Sequence, residues 1–387
     1  MTVSTTTLII CVLLLVFGIV SCMMNPLFRD VTRKDKDADE TDDPRLSREP
    51  GKVTIVVSAI GNCSHLEDTL RVLLVQKYEP GYELIVTGDK DNPQIDHVLG
   101  KIGEELNAHF TFVPHKPIFM SKSKLAVLLG VKAAHSEWII LLDANAAPTS
   151  DLWLLDMARS MRTDTNLVIS YSNYDKGTSR LARFRRLRTA AYVFRRAMLG
   201  KAFKACGKCI AFRGREFVEG DSYRGNLEYA NGEYDFIINK FAKDGSTGIS
   251  YGKEEGVMEW DASKKDIVKD ELAELHFRRG LKGHASMQFL YSVDLALFCL
   301  NGLLQAGAMA YAIIFAEWII LAVAATMTVI TFVWRSVTAH KVMARYGEYY
   351  IPAWTTVFLE MALPLHDIVT RLRYWHSDKY DFTTHKL

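Results

Sequence analysis

The sequence predicts an α/β domain that is built on a mostly parallel sheet and flanked by membrane-spanning segments. Short aliphatic runs alternate with amphipathic helical patterns, which is typical of strands joined by right-handed helical crossovers. One run, Trp138 to Leu142, is wholly apolar, as expected for a strand that is covered on both faces. Long uncharged segments also occur near both ends of the chain, and their length suits a bilayer.

The composition agrees with one sizeable folded domain plus membrane segments. Of the 387 residues, 49% are hydrophobic and 24% are charged, and the formal net charge is +2. This hydrophobic content excludes a chain that is largely disordered. The nearly neutral charge gives no sign of the dominant basic face that nucleic-acid binding requires, so we expect no nucleic-acid partner.

The six cysteines are scattered along the chain and predict no disulfide framework. Cys206 and Cys209 form a lone CxxC pair without a second pair nearby. A zinc or redox site is one interpretation of this pair. Two ordinary thiols are the favoured interpretation, because a structural zinc site needs four ligands.

The first membrane signal lies near the N-terminus. Leu8 to Val20 carries no charge, and the run extended to Met24 approaches the roughly 20 residues that span a bilayer. A cleaved signal peptide is the alternative, but basic residues are missing before the run and abundant after it, within residues 29–36. We therefore predict an uncleaved anchor over residues 1–28, with the following domain in the cytoplasm.

The second signal predicts a transmembrane hairpin over residues 285–336. Phe289 to Trp334 is mostly apolar and long enough for two spans. A turn is expected either at Asn301 to Gly307 or near Glu317. The basic residues after the hairpin (Arg335, His340, Lys341 and Arg345) agree with a return to the cytoplasm.

A third apolar segment, Tyr350 to Leu365, is shorter and contains two prolines and a glutamate. We interpret it as an interfacial or re-entrant segment within a cytoplasmic tail over residues 337–387. At the other end of the chain, residues 29–52 are dense in charged residues and contain almost nothing apolar, which predicts an extended linker. The folded domain is then predicted over residues 53–284.

Strands and helices alternate through the first half of this domain. Strands are predicted at Val53–Ile60, Glu83–Thr87, Phe110–Val113 and Glu137–Leu142, and helices at Ser64–Gln76 and Lys122–Ala134. Asp143 and Asn145 follow the fourth strand, where ligands bind in an open α/β sheet. Their side-chain oxygens can reach one hard cation and the diphosphate it neutralises, although two carboxylates would do this better.

These segments resemble a known family. A strand reading VTIVVSA, a helix ending LLVQKYEP, a second strand closing on Asp89 and a later strand ending LLDANAAP are similar to the nucleotide-binding half of family 2 glycosyltransferases. The resemblance runs from about Val53 to His284. It extends to the layout of the membrane-anchored bacterial members, with one anchor before the catalytic domain and a hairpin after it. It implies the GT-A fold, a Rossmann-like sheet with flanking helices.

The resemblance also implies roles for single residues. Ser58, Asp89, Lys124 and Asp143 match positions that bind the nucleotide-sugar donor, with Asp89 at the base and Asp143 at the ribose and metal. Asn145 stands where the family has the second metal-binding acid, so Mg²⁺ or Mn²⁺ should bind more weakly. Two alternatives stay open, because Asp89 is also a good turn residue and the lysines at 122 and 124 could be solvated.

The segment Asn231-Gly-Glu-Tyr-Asp235 resembles the place where the family carries its catalytic base. Glu233 and Asp235 are the candidates. The family's usual base position falls on Tyr234, which cannot act as a base near neutral pH without a large pKa shift. The alternative interpretation is an acidic first turn that stabilises the helix.

Three basic or strand-like segments have two interpretations each. Arg278 or Arg279 resembles the arginine of a segment in processive members that would hold the diphosphate, or both face anionic lipid beside the membrane. The helix Ser179–Arg196, with seven arginines, suits a membrane surface or a lipid-diphosphate acceptor, or has a solvated basic face. Gly207–Arg213 resembles a segment near the acceptor site, or is an ordinary strand.

Two functional classes follow. The first is a multi-pass glycosyltransferase of the inner (plasma) membrane that transfers a hexosyl or related sugar, with inversion, to a lipid-linked or polysaccharide acceptor on the cytoplasmic face. The alternative is a weakened or inactive relative that serves as a partner or scaffold in envelope polysaccharide synthesis, and Asn145 and Tyr234 favour it. A nucleotidyltransferase is less favoured, because no glycine-rich, lysine-containing phosphate loop follows the first strand.

Overall fold

The computed structural model describes residues 4–28, 51–102, 108–251, 256–260 and 263–384. The chain divides into a larger unit, Val31–His284 with Val369–Leu387, and a helical unit, Met1–Asp30 with Ala285–Ile368. The predicted linker over residues 29–52 lies outside the described residues except for its last two positions.

Strands alternate with helices along the larger unit, whereas long helices make up the helical unit. The strands are β1 (Val53–Ala59), β2 (Tyr82–Asp89), β3 (Ala108–Val113), β4 (Trp138–Asp143), β5 (Ala146–Pro148), β6 (Leu167–Ser170), β7 (Ser172–Tyr174), β8 (Cys209–Arg213), β9 (Thr247–Ser250) and β10 (Val257–Glu259). The helices are α1 (Thr5–Met24), α2 (Leu66–Leu74), α3 (Pro93–Ile102), α4 (Lys122–Ala133), α5 (Trp153–Arg159), α6 (Arg180–Met198), α7 (Gly214–Glu219), α8 (Glu233–Phe241), α9 (Lys264–Phe277), α10 (His284–Ile314), α11 (Trp318–Arg345) and α12 (Thr356–His376).

The larger unit is an α/β domain with a mostly parallel sheet, so the predicted fold class is confirmed for this unit. Seven strands form the sheet in the order β3-β2-β1-β4-β8-β6-β9. Strand β8 runs antiparallel to both of its neighbours, whereas the other pairs are parallel. A second, three-stranded sheet has the order β5-β10-β7.

Strand β1 is buried along its whole length, as its apolar sequence predicts. On one face of the sheet, Val57 belongs to the same apolar core as Leu66 and Leu70 of α2. On the other face, α4 lies against β1, and Gly130 permits the close approach because an added Cβ would collide with Val56. Helices therefore cover both faces of the central strands and exclude water from them.

The order of the strands places a change of direction between β1 and β4. From β1 the chain moves outward to β2 and β3, and it then returns to place β4 on the opposite side of β1. The crossovers thus leave β1 in opposite directions, which opens a crevice at the carboxyl ends of β1 and β4. Ser58 and Asp143 are register partners at this point.

Among the residues described, the helical unit contains three helices that are long and apolar enough to cross a membrane, α1, α10 and α11. They correspond to the predicted anchor and hairpin. The turn between α10 and α11 lies at Phe315–Glu317, and Ala316 adopts a φ of +56° there. The alternative turn at Asn301–Gly307 was wrong, because those residues continue helix α10.

An ion triad is buried within the helical unit. Arg335 of α11 lies 3.0 Å from Asp294 of α10 and 3.2 Å from Glu360 of α12, and each of the three side chains is at most 3% exposed. The predicted interfacial segment Tyr350–Leu365 is a 3₁₀ turn followed by the first half of α12. Buried charges need partners of opposite charge, and each of the three helices supplies one member of the triad.

Candidate functional site

Three of the predicted site residues lie at the ends of neighbouring strands. Ser58, Asp89 and Asp143 end or nearly end β1, β2 and β4, which are adjacent in the sheet. The carboxylate of Asp89 forms an ion pair with the ammonium of Lys122 at 2.7 Å. The backbone N–H of Ala144 donates to the carbonyl of Ser58 at 3.0 Å, which ties the two strand ends together.

Asp143 is held from three directions. Its N–H donates to the carbonyl of Lys208 at 3.3 Å, and its Oδ1 accepts the N–H of Asn145 at 3.0 Å. Its Oδ2 lies 3.8 Å from the ammonium of Lys208. The side chains of Asp143 and Lys208 are 24% and 36% exposed, so this ion pair borders on solvent.

Lys208 was missed by the sequence analysis. Its N–H donates to the hydroxyl of Ser172 at 3.0 Å, and that hydroxyl donates to Glu259 at 2.5 Å. The carboxylate of Asp143 raises the pKa of Lys208, so the ammonium is charged at neutral pH. Because β8 is antiparallel, its first residues meet the last residues of β4. The sequence carried no signal of that pairing.

The side chain of Asn145 is hydrogen-bonded to the loop that follows β1, and it joins that loop to the segment after β4. Its side-chain oxygen accepts the N–H of His65 at 3.1 Å, and its amide nitrogen donates to the carbonyl of Asn62 at 2.7 Å. The backbone carbonyl of Asn145 accepts the backbone N–H of Trp260 at 2.8 Å. The indole ring of Trp260 stacks on the ring of His65. An aspartate could not donate to Asn62, so the amide is suited to this bridge.

Asp143 and Asn145, the predicted metal ligands, do not fit a Mg²⁺ or Mn²⁺ site as they stand. The amide of Asn145 is committed to the loop after β1, and the free oxygen of Asp143 faces the cation of Lys208. Divalent cations of this kind favour several oxygen ligands and anionic charge. In the described part of the chain, no cluster of three or more His, Cys, Asp or Glu side chains is arranged to hold a metal.

Glu233 is the first residue of α8. The preceding Gly232 has a φ of +90°, and an added Cβ there would lie 2.9 Å from both Phe236 and Phe277, so glycine is required. The Oε2 of Glu233 is buried and has no hydrogen-bond partner among the residues described. Burial raises the pKa of Glu233, and the carboxylate of Asp143 adds to the rise.

Asp235 lies in the same helical turn as Glu233 but contacts different residues. Its Oδ1 accepts the N–H of Ala205 at 2.6 Å. Burial raises the pKa of Asp235 to about 6, and the charge of Lys204 opposes the rise. Lys204 forms an ion pair with Glu274 at 2.5 Å. Asp235 thus belongs to an ionic cluster with Lys204 and Glu274, whose side chains are 12% and 36% exposed.

The surroundings of Tyr234 disfavour a basic phenolate at neutral pH. Burial raises its pKa well above the ordinary value, and Asp143 and Glu233 raise it further. A basic phenolate would need the opposite shift. This direction agrees with the expectation that Tyr234 cannot act as a base near neutral pH without a large pKa shift.

The two lysines at the start of α4 have different surroundings. Lys122 pairs with Asp89, whereas Lys124 is fully buried and donates to the carbonyls of Asn226 and Tyr229 at 2.6 Å each. Burial lowers the pKa of Lys124 to about 8. Lys124 therefore fastens the loop that leads into α8, and the lysine beside the strand ends is Lys122.

The arginines after α9 lie in a 3₁₀ turn, Arg278–Gly280. Arg278 acts electrostatically on Glu274 of the ionic cluster described above. The guanidinium of Arg279 lies 5.7 Å from the ring centre of Tyr374. Contact of either arginine with a diphosphate stays a prediction.

Helix α6 corrects another expectation. Arg183 and Arg188 are buried, Arg186 pairs with Glu259 at 3.0 Å, and Arg185 pairs with Glu271. These arginines face partners inside the domain. The predicted membrane surface and solvated basic face were therefore wrong for this part of the helix, and contact with a lipid-diphosphate acceptor stays a prediction.

The CxxC pair consists of two ordinary thiols, as expected. Cys206 and Cys209 are both free and buried. Burial raises the pKa of Cys209 to about 12, which keeps the thiol protonated. The segment that contains Cys209 is strand β8, so the ordinary-strand interpretation of residues 207–213 applies to Cys209–Arg213.

No protein-family model matches this chain, and no curated protein matches it. Among solved structures, it resembles a mannosyltransferase from Pyrobaculum calidifontis in complex with GDP-Man and Mn²⁺, with 14% identity, a TM-score of 0.44 and coverage of 83% of this chain and 97% of that one. It also resembles S. aureus TarS, with 13% identity, a TM-score of 0.40 and coverage of 63% and 43%.

A further likeness is to glucosyl-3-phosphoglycerate synthase from Mycobacterium tuberculosis in complex with phosphoglyceric acid. Here the identity is 15%, the TM-score is 0.35, and the coverage is 54% of this chain and 70% of that one. Likenesses at this level establish neither family nor function. The function has to be inferred from the site itself.

Proposed function

We propose that this chain is a membrane-bound glycosyltransferase of the family 2 type. It would move a hexosyl or related sugar from a nucleotide-sugar donor to a lipid-linked or polysaccharide acceptor, with inversion. The observation that carries the proposal is the position of Ser58 and Asp143 at the switch point of the sheet, with the buried carboxylate of Glu233 acting electrostatically on the same site. Nucleotides bind at such crevices in open α/β sheets.

The donor would lie across the carboxyl ends of β2, β1 and β4. Asp89 stands at the β2 end, where it can accept from a base, and Asp143 stands at the β4 end, where it can accept from ribose hydroxyls. The Oδ2 of Asp143 lies 3.8 Å from the ammonium of Lys208. That distance is longer than a hydrogen bond, so the oxygen keeps capacity for a ligand.

The transfer needs one base. In the proposed step, an acceptor hydroxyl attacks the anomeric carbon of the sugar, its proton passes to the carboxylate of Glu233, and the bond to the diphosphate breaks. A raised pKa suits this role, because a base works best when its pKa lies near the working pH. Asp235 is less suited, since it already accepts the N–H of Ala205.

The membrane setting rests on α1, α10 and α11. We propose that all three span the plasma (inner) membrane and that the α/β domain lies in the cytoplasm. Basic residues after the spans support this orientation. Arg335 no longer counts among them, because it is buried in the ion triad, so the signal after α11 rests on His340, Lys341 and Arg345.

Binding of nucleoside diphosphates to the full-length chain in nanodiscs, measured by calorimetry, tests the proposal. We expect one of ADP, GDP, UDP and dTDP to bind, and Asp143→Ala to abolish this binding. Asp96→Ala, which removes an exposed carboxylate from α3, is the matched control and should bind as the unaltered chain does. Absence of binding for all four nucleotides would sink the proposal.

A second function, a scaffold that binds nucleotide without transferring sugar, is favoured by one observation. The side chain of Asn145 is used to join two loops, so the family's pair of metal-binding acids is absent. A chain that binds nucleoside diphosphate but releases none from any nucleotide sugar would support the scaffold over the enzyme.

A further inference from the structure

We propose that the ammonium of Lys208 supplies, at the end of β4, the positive charge that a divalent cation would otherwise supply to the diphosphate, so that donor binding and transfer are independent of metal. This inference rests on the proposed function, because it names the group that neutralises the leaving diphosphate. It assigns a role to Lys208, a residue of the segment Gly207–Arg213 that the sequence did not single out.

The position of Lys208 is built into the fold. Both of its backbone groups are used: the carbonyl accepts the N–H of Asp143 and the N–H donates to Ser172. Ser172 is itself held by Glu259, which also binds Arg186 at 3.0 Å. The main chain at Lys208 is therefore fixed against the strand end, and only the side chain is free to choose between partners.

The side chain of Lys208 is available to a ligand. Its ammonium lies 3.8 Å from Oδ2 of Asp143, beyond hydrogen-bond range, and the side chain is 36% exposed. A small rotation can bring the ammonium onto an anion at the strand end, since lysine donates through a flexible stem. Asp143 keeps the ammonium charged and in place until the ligand arrives.

The neighbouring residues leave little room for a metal to perform the same task. A cation at Asp143 would meet the ammonium of Lys208 at the same oxygen. It would also need an oxygen of Asn145 that already accepts the N–H of His65. Both features favour a single positive group at this position, and that group is the ammonium of Lys208.

The chemistry is balanced without a metal. As the acceptor oxygen bonds to the anomeric carbon, the bond from that carbon to the diphosphate oxygen breaks, and the electron pair stays on the diphosphate. The acceptor proton goes to Glu233. The added negative charge on the diphosphate is met by the ammonium of Lys208, which acts on phosphate as a point charge.

The test compares nucleoside diphosphate binding in EDTA and in Mn²⁺, using ADP, GDP, UDP and dTDP on the full-length chain in nanodiscs. We expect the nucleotide that binds to do so with the same affinity in both conditions. Lys208→Met should weaken it at least about tenfold, and Lys208→Arg should retain most of it. Lys201→Met, at an exposed lysine after α6, is the control for loss of one positive charge.

Three outcomes would overturn the inference. Binding that appears only with Mn²⁺, or that Lys208→Met leaves unchanged, contradicts it while leaving the proposed function intact. Absence of binding for all four nucleotides in both conditions overturns the proposed function as well. Circular dichroism shows whether Lys208→Met folds; if it does not, Lys208→Arg and the EDTA comparison on the unaltered chain decide the question.

Discussion

Two groups of charged side chains, one in the helical unit and one in the α/β domain, differ in how far they are shielded from solvent. In the helical unit, Arg335 meets two carboxylates at 3.0 and 3.2 Å, and all three side chains are at most 3% exposed. In the α/β domain, Lys208 and Asp143 are 3.8 Å apart and partly exposed. The first group is closed to solvent, whereas the Oδ2 of Asp143 and the ammonium of Lys208 in the second group lie beyond hydrogen-bond distance.

The difference follows from the surroundings of each group. The helices that carry the triad are apolar, so an unpaired charge there is costly and each member needs the others. The pair at the strand end borders on solvent, which lowers the cost of leaving it loosely paired. Close pairing therefore indicates a structural role for Arg335, whereas loose pairing at the strand end agrees with the binding role that we propose for Lys208.

The largest expected effect is on the ion triad of Arg335, Asp294 and Glu360. Arg335→Met leaves Asp294 and Glu360 buried without their cation, which should destabilise the helical unit by about 3–5 kcal/mol. Thermal unfolding of the chain in detergent measures this loss. The triple variant Arg335→Met, Asp294→Asn, Glu360→Gln should recover most of the stability, and a single variant as stable as the unaltered chain would contradict the structural role.

The second-largest expected effect distinguishes Glu233 from Asp235 as the base in the α/β domain. Glu233→Gln should lower transfer by roughly 10²–10⁴-fold, because the base is lost while the shape is kept. Asp235→Asn should leave transfer within a few-fold, since an amide oxygen still accepts the N–H of Ala205. Release of nucleoside diphosphate from the donor measures both variants, and the reverse ranking would move the base to Asp235.

A smaller effect is expected at the loop bridge. Asn145→Asp loses the donation to the carbonyl of Asn62 and should destabilise the α/β domain by about 1–3 kcal/mol. Chemical unfolding measures the change. Asn62→Asp is the matched control, because the side chain of Asn62 is exposed and accepts from Gln94, as an aspartate also would. Equal stability of both variants would show that the bridge contributes little.

The smallest effect is a pH dependence from Asp235. Its pKa in the folded chain is about 6, above the ordinary value of 3.8, because of burial. The folded state therefore binds the proton more tightly, and stability is lost as the pH rises from about 4 through 6. Unfolding free energies across this range should fall in the unaltered chain and lose this component in Asp235→Asn. Identical pH profiles would contradict the assignment.

The sequence predicted what depends on local pattern. Strands β1 to β4 and helices α2 and α4 lie where hydrophobic periodicity put them, and Asp89 and Asp143 end their strands as expected. Short apolar runs and helical spacing of apolar residues are visible within one segment, so a single segment is enough to identify these strands and helices.

The remaining features depend on contacts between distant segments. Lys208 reaches Asp143 because β8 is antiparallel. The arginines of α6 were misjudged because their partners, Glu259 and Glu271, lie 73 and 86 residues further along the chain. Asn145 was interpreted as a weakened metal ligand, because its partners in the loop after β1 could not be known from the sequence.

The most direct test of the account is donor turnover by the EDTA-treated full-length chain. A panel of nucleotide sugars is incubated with the chain and membrane extract, and released nucleoside diphosphate is measured alongside the Glu233→Gln variant. We predict release from at least one donor without added metal, and its loss in Glu233→Gln. Release that requires added Mn²⁺ would contradict the role of Lys208, and release that Glu233→Gln leaves unchanged would contradict the assigned base.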